Sequence, residues 1–446
     1  MDETWRIRIQ AALGMQVRMT ESYERGSCAI REAVLAARQL GDPMTLGRVL
    51  MTFRFCGGPL DMDERVACGH ELLELGESTG ERVFTLIGCQ QLFWCHRELG
   101  DTDEMTRWRD AAANQLHGPD LEQLSLEAAA ALLGGDLELA TTLTDAVEAV
   151  AGPLSATTSY VAPLRMALAD VRGHLPDPRR LRRAADGSTM YRAMFQSMRA
   201  RALARTGRLT QAQALLADAA RSAFEPRYAP NASTVAGSCW AETAFICADV
   251  AASRDIGEWF EPLAGTFVDS GMVVSDTVDR VRALAHLTYH DPDGAATIAA
   301  QAVAASRTRR TPVLLGRELV VLAAAQQASA DCAAGDAVEE ALAIARRTGA
   351  LIIIHDIRLF LDHSPVSADE FGLTARERDV LACVAVGDTN TQIAHQLGIS
   401  PATVRKHLEH IYSKLGVSTR TAAVGRAINT ERTSPSPAAT RSTSSG

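Results

Sequence analysis

At 446 residues, 47% hydrophobic but only 5% aromatic, the chain exceeds one ordinary core and suits helices better than a large sheet. Its formal charge of −9 is uneven: residues 373–428 carry +3, the remaining tail +1 and residues 1–372 carry −13. The only lysines are Lys406 and Lys414, which excludes a Gly-rich, Lys-Ser/Thr phosphate loop and a receiver-domain lysine from residues 1–372.

The nine cysteines form no CxxC pair and no Cys/His metal spacing. With no signal peptide and no long apolar span, they read as reduced thiols of a cytoplasmic, non-membrane protein. There is no nucleophile elbow and no carboxylate pair in a strand-loop context, so neither an enzyme nor a cofactor or metal site is expected.

Residues 1–365 read as helix after helix, broken by short Gly, Asp and Pro turns. Gly100, Gly135, Gly173 and Gly207 are 35, 38 and 34 residues apart. That is close to the roughly 34-residue period of tetratricopeptide helix pairs. Gly41 and Gly76 are also 35 apart, while Asp291–Gly294 and Gly335-Asp336 fall into looser register. Consensus aromatic positions are mostly unfilled, so the expectation is a degenerate TPR-like body, with an irregular helical bundle as the alternative. Such stacks present a concave surface to a peptide, protein or small ligand. Phe93-Trp94-Cys95-His96 and Cys239-Trp240 could line it, although aromatics at helical spacing are more often core. The Arg179–Arg183 run reads as a solvated helix face.

His363-Ser364-Pro365 with Val366–Asp369 marks a hinge, since Pro365 stops an incoming helix. It separates a sensor or interaction region, 1–365, from a second domain, 366–430. There Thr374 and Glu377 form a capping box; Val380, Leu381 and Val384 share one face, with Cys383 a small hydrophobe beside them, before Gly387. A second helix, Thr391–Leu397, buries Ile393, Ala394 and Leu397, and Gly398 makes the turn. Ser400 caps a third helix with Pro401 at its first position; Val404, Leu408, Ile411 and Leu415 form its apolar face before Gly416. This is helix-turn-helix spacing, in which the helix after the turn enters the major groove of double-stranded DNA. Arg405, Lys406 and His407 lie on its first turns, where Arg can hold guanine bidentately. Lys414 and Arg420 suit phosphates, which set affinity and register. The alternative is a solvated basic face. Residues 431–446 are mostly Ser, Thr, Pro and Ala with little apolar content and should be disordered.

Leu373–Val424 resembles the C-terminal domain of LuxR-type transcriptional regulators, through LTxRExxVL, GxxNxxIAxxLxIS and TVxxHxxxIxxKLxV. The resemblance implies an all-α, four-helix domain whose fourth helix, about Thr419–Ile428, contributes to dimer contacts. It places Arg405 and Lys406 at base-contacting positions and Thr403, His407 and Lys414 at or beside the DNA surface. Asn390 and Thr391 start the scaffold helix, whose free amides can hold a phosphate. Glu409 departs from the family's usual basic or polar residue; it could pair with Arg405 or accept from cytosine N4. The resemblance favours activation over repression, a homodimer on DNA and contact with RNA polymerase at the nucleoid. The body also resembles, through phrases such as Ala36–Pro43 and Leu72–Gly76, the C-terminal halves of large ATP-binding LuxR-family regulators. The chain is then a standalone short form, or its nucleotide-binding half is lost or encoded elsewhere. An assembly scaffold with secondary DNA binding is a further alternative.

Overall fold

The computed structural model describes residues 2–419 apart from 117–119, 152–159, 188–190, 222–229, 332, 362–373, 387–388, 398, 416 and 418. The expected hinge, the fourth helix, Arg420 and the 431–446 tail therefore lie outside the described residues. The chain divides into two compact units, Met1–Asp356 and Ile357–Gly446.

The first unit is a succession of helices, from Glu3–Thr20 and Tyr23–Leu40 to Pro312–Ala328 and Ala334–Thr348, most packed on their chain neighbours, and it ends within the helix Leu351–Leu361. At three connections one dipeptide both ends a helix and starts the next. At Gly41-Asp42, Gly100-Asp101 and Gly135-Asp136 the glycine adopts φ of 71°, 73° and 78°, and the aspartate caps the following helix. Gly76 is different: it sits inside Met62–Thr79, where a Cβ would run into Thr85, and the left-handed cap of that helix is Gly80. Gly335 likewise lies within the first turn of Ala334–Thr348 rather than at a connection. A spacing of 33 residues recurs in four side-chain bridges. Arg31–Glu64, Arg38–Glu71, Arg65–Glu98 and Arg307–Glu340 each join residues 33 apart.

Phe93, Cys95, Cys239 and Trp240 are buried in the core, and the arginines of Arg179–Arg183 are exposed around buried Leu181. The all-α expectation holds with one addition. Phe267–Asp269 and Val274–Thr277 pair as an antiparallel hairpin around Gly271, whose φ is 85°. Its signal, β-branched residues flanking Asp269-Ser270-Gly271, is present in the sequence.

The hairpin brings two acids into a charged interior. Asp269 receives Arg97 bidentately at 2.6 and 3.0 Å. Asp276 receives Arg280 at 2.6 Å. Arg280 also lies 3.4 Å from Asp356, which accepts from Arg317 at 2.8 Å and from Arg205. Arg205 and Arg317 both hold Glu242 as well. Three guanidiniums and three carboxylates, each no more than 3% exposed, thus tie Arg192–Arg205, Pro230–Cys247, the hairpin, Val278–Thr288, Pro312–Ala328 and Leu351–Leu361 together. Desolvating six charges is unfavourable unless each is matched, so the network specifies alignment more than it adds stability. Beside it, burial pushes the Glu318 carboxyl up to about 7, although Thr277 Oγ1 donates to it at 2.7 Å.

Asp356→Ala leaves three buried guanidiniums short of a counter-ion and should destabilise the body by about 3–5 kcal/mol in chemical denaturation. A change within 1 kcal/mol of zero, ~1 being the scale of an ordinary surface effect, would contradict the network's role. The raised carboxyl of Glu318 makes a second prediction. Its neutral form is favoured by folding, so that stability is complete below the ordinary value of 4.5 and is lost as pH rises through about 7. Glu318→Gln should remove this fall, giving a variant more stable than wild type at pH 8 by about 2–3 kcal/mol. Parallel pH–stability curves for the two proteins would contradict it.

Candidate nucleic-acid interface

The second unit contains three described helices, Ala375–Val386, Asn390–Leu397 and Pro401–Leu415. Each start is fixed by a side chain. The Thr374 amide donates to Glu377 at 2.7 Å, and the Glu377 amide donates to Thr374 Oγ1 at 3.3 Å. The second helix has a box of the same kind: the Thr389 amide donates to Gln392 Oε1 at 2.8 Å, and the Gln392 amide donates to Thr389 Oγ1 at 3.4 Å. Its T-x-x-Q signal begins at Thr389, so the helix begins at Asn390, one residue before the expected Thr391. At the third, the Thr403 amide donates to Ser400 Oγ at 3.1 Å, and the two hydroxyls lie 2.8 Å apart. Ser400 is thus a cap, with one lone pair already used.

Ile393, Ala394, Leu397, Val404, Leu408 and Ile411 are buried with Val380, Leu381, Cys383 and Val384. With Val404, Leu408 and Ile411 turned inward, Thr403, Arg405, Lys406 and Glu409 are exposed and His407 is half-buried. On the preceding helix Thr391 is exposed and Asn390 half-buried. Among the described residues no ion pair joins Arg405 to Glu409, and none engages Lys406. The two cations at the head of the helix therefore present their charge outward.

Lys414 is placed differently from a simple phosphate contact. Its ammonium donates to Glu377 Oε2 at 2.7 Å, and His410 Nδ1 lies 3.7 Å from Glu377 Oε1. Its side chain is 34% exposed and its charge is answered inside the domain. Arg376 is engaged in the same way, donating to the Leu397 carbonyl at the end of the second helix. These links escaped the sequence reading because they join residues 37 and 21 apart, with no local periodicity to mark them. The Lys414 ammonium, with the Thr374 amide and hydroxyl, holds the buried Glu377 carboxyl down at about 2.

A carboxyl depressed in the fold contributes stability above its ordinary value of 4.5 and loses it as pH falls through about 2. Glu377→Gln should therefore destabilise this unit at pH 7 by about 1–2 kcal/mol, the scale of a lost cap and a half-screened ion pair. The deficit should shrink as pH falls from 4.5 towards 2. Amide exchange across residues 374–415 measures it, and unchanged protection at pH 7 would contradict the clamp.

Comparison with known proteins locates this unit. The family described as "Bacterial regulatory proteins, luxR family" (GerE) matches residues 372–427. The chain is 49% identical over 72 residues to a probable transcriptional regulatory protein, SgaR, of Hyphomicrobium methylovorum, covering 16% of this chain and 32% of that protein. It is 51% identical over 55 residues to the HTH-type transcriptional activator RamA of Corynebacterium glutamicum, 12% of this chain and 20% of that one. It is 48% identical over 56 residues to a probable transcriptional regulatory protein, NarL, of Mycobacterium tuberculosis, 13% of this chain and 26% of that one. The chain thus spans a third or less of each relative's length. With the capped helices, the outward cations and the family match falling on the same stretch, residues 372–427 are a LuxR-family helix-turn-helix domain.

Proposed function

We propose that the chain is a sequence-specific, DNA-binding transcriptional regulator that reads the major groove with Pro401–Leu415. The observation that carries this is the outward pair Arg405 and Lys406 at the start of a helix whose opposite face is buried. Arg405 is assigned to guanine, Lys406 to guanine or phosphate, and Thr403 and His407 to contacts beside them. Glu409, exposed one turn after Arg405, biases the readout towards cytosine N4. The amides at Asn390 and Thr391 take a backbone phosphate. Lys414 supports the domain through Glu377 and adds to the phosphate field secondarily. Arg420 is assigned to a phosphate by sequence position alone.

The acidic body, read as degenerate helical repeats, senses a ligand or protein partner and does not itself hold DNA. The 33-residue spacing of its ion pairs supports that reading. Among the described residues no group of His, Cys, Asp and Glu is arranged to hold a metal, and no helix is long and apolar enough to cross a membrane. A non-enzymatic, cytoplasmic homodimer that activates transcription through RNA polymerase completes the proposal. RamA, named as an activator, favours activation.

Arg405→Ala should weaken binding to the selected site by about 1–3 kcal/mol and relax specificity at one base pair, with far less effect on random DNA. Fluorescence anisotropy against a panel of single-substitution sites measures both. Equal affinity and an unchanged sequence preference would remove Arg405 from the readout.

A further inference from the structure

The stretch 171–217 runs against the charge of the body around it. It carries ten arginines against two acids, Asp177 and Asp186. Residues 1–372 carry −13 and this stretch +8, so the remainder carries −21. Three of the ten are answered inside the fold: Arg201 by Asp170, Arg205 by Glu242 and Asp356, and Arg172 by Thr141 Oγ1 at 2.6 Å. Four others crowd the first turns of one short helix, Pro178–Gly187. Its inner face is Leu181 and Ala185, 4% and 2% exposed, while Arg179, Arg180, Arg182 and Arg183 are all exposed. Among the described residues their one ion-pair partner is Asp186, 3.9 Å from Arg182. The Asp177 carboxylate accepts the Arg179 amide at 2.9 Å.

Alone, such a face is unfavourable. The start of a helix carries partial positive charge, which opposes cations. Arg179 and Arg183 stand four apart, where like charges repel. Arg31, Arg38 and Arg165, also at the surface, are matched instead, by Glu64 at 2.9 Å, Glu71 at 2.6 Å and Asp145 at 2.6 Å. A bound anion would relieve both effects.

We propose that the outward face of Pro178–Gly187 docks an acidic segment of a protein partner, one that carries several carboxylates in a short stretch. The inference rests on the reading of the body as a sensor of a ligand or partner; it names that partner's chemistry and where it binds. Charge complementarity selects an anion, and shape selects among anions. The four guanidiniums fan around more than one turn of helix, so a single small anion cannot meet them all, whereas a chain of carboxylates can. A duplex is a rod that runs past so short a helix and meets the −21 of the remaining body, which repels it. A bilayer needs apolar side chains to insert, and the one large apolar residue of this helix, Leu181, is buried.

Fluorescence anisotropy with a labelled peptide of alternating Glu and Gly tests this. The full chain is used with Arg405→Ala and Lys406→Ala, so that the outward cations of the second unit do not capture the probe. Binding should be saturable and should weaken as salt rises. Changing Arg179, Arg180, Arg182 and Arg183 together to Gln should weaken it at least about 10-fold, the scale of four exposed charge contacts. Changing exposed Arg346 and Arg347 to Gln should leave it unaltered. All these positions are exposed, so circular dichroism should match the parent chain. No saturable binding, or equal loss from the Arg346 and Arg347 changes, overturns the proposal. So does a set of four arginines that holds random duplex or phosphatidylserine vesicles in place of the peptide. Peptide binding through these arginines by a chain whose wild type holds no DNA would sink the DNA-binding reading and leave this surface standing.

Discussion

A helix leaves amides without partners at its start, and this chain answers them with side chains at the turn itself. At three connections of the first unit the answer is an aspartate directly after a left-handed glycine, at Gly41-Asp42, Gly100-Asp101 and Gly135-Asp136. In the second it is Thr374 with Glu377, Thr389 with Gln392, and Ser400 with Thr403. Connections this short leave neighbouring helices little choice but to pack together. The exposed face of Pro401–Leu415 is therefore aimed by the helix's cap and its buried face.

Charge does two kinds of work here, separated by burial. In the body, arginines and acids face inward in matched sets around Asp356, Glu242 and Asp276, where an unmatched member is far more damaging than the set is stabilising. In the second unit the buried acid Glu377 occupies Lys414 and the Thr374 amide, while Arg405 and Lys406 stay outward. Residues 1–372 carry −13 and residues 373–428 carry +3, so positive charge is concentrated in the second unit.

Much of the second unit was legible because its signals are local. Caps, the Ser400-Pro401 start and the apolar spacing of Val404, Leu408 and Ile411 all fall within a few residues. The body was legible as helices and turns, but not in its wiring. Gly76 looks like a turn in sequence and is a close helix contact instead, because glycine serves both ends and gives no local sign of which. Arg205 and Asp356 stand 151 residues apart, and no periodicity announces their meeting. The commitment of Lys414 to Glu377 was hidden for the same reason. The hairpin was visible in Asp269-Ser270-Gly271, but seven β residues are easily outweighed by the helical pattern around them.

The proposed function depends on whether the outward head of Pro401–Leu415 reads duplex DNA. Selection of the intact protein against random duplexes, repeated with Arg405 and Lys406 both changed to alanine, measures this most directly. The wild type should enrich a defined site and the double variant should lose that enrichment with its fold intact. No enrichment by the folded wild type, or the same site enriched by the variant, would contradict it.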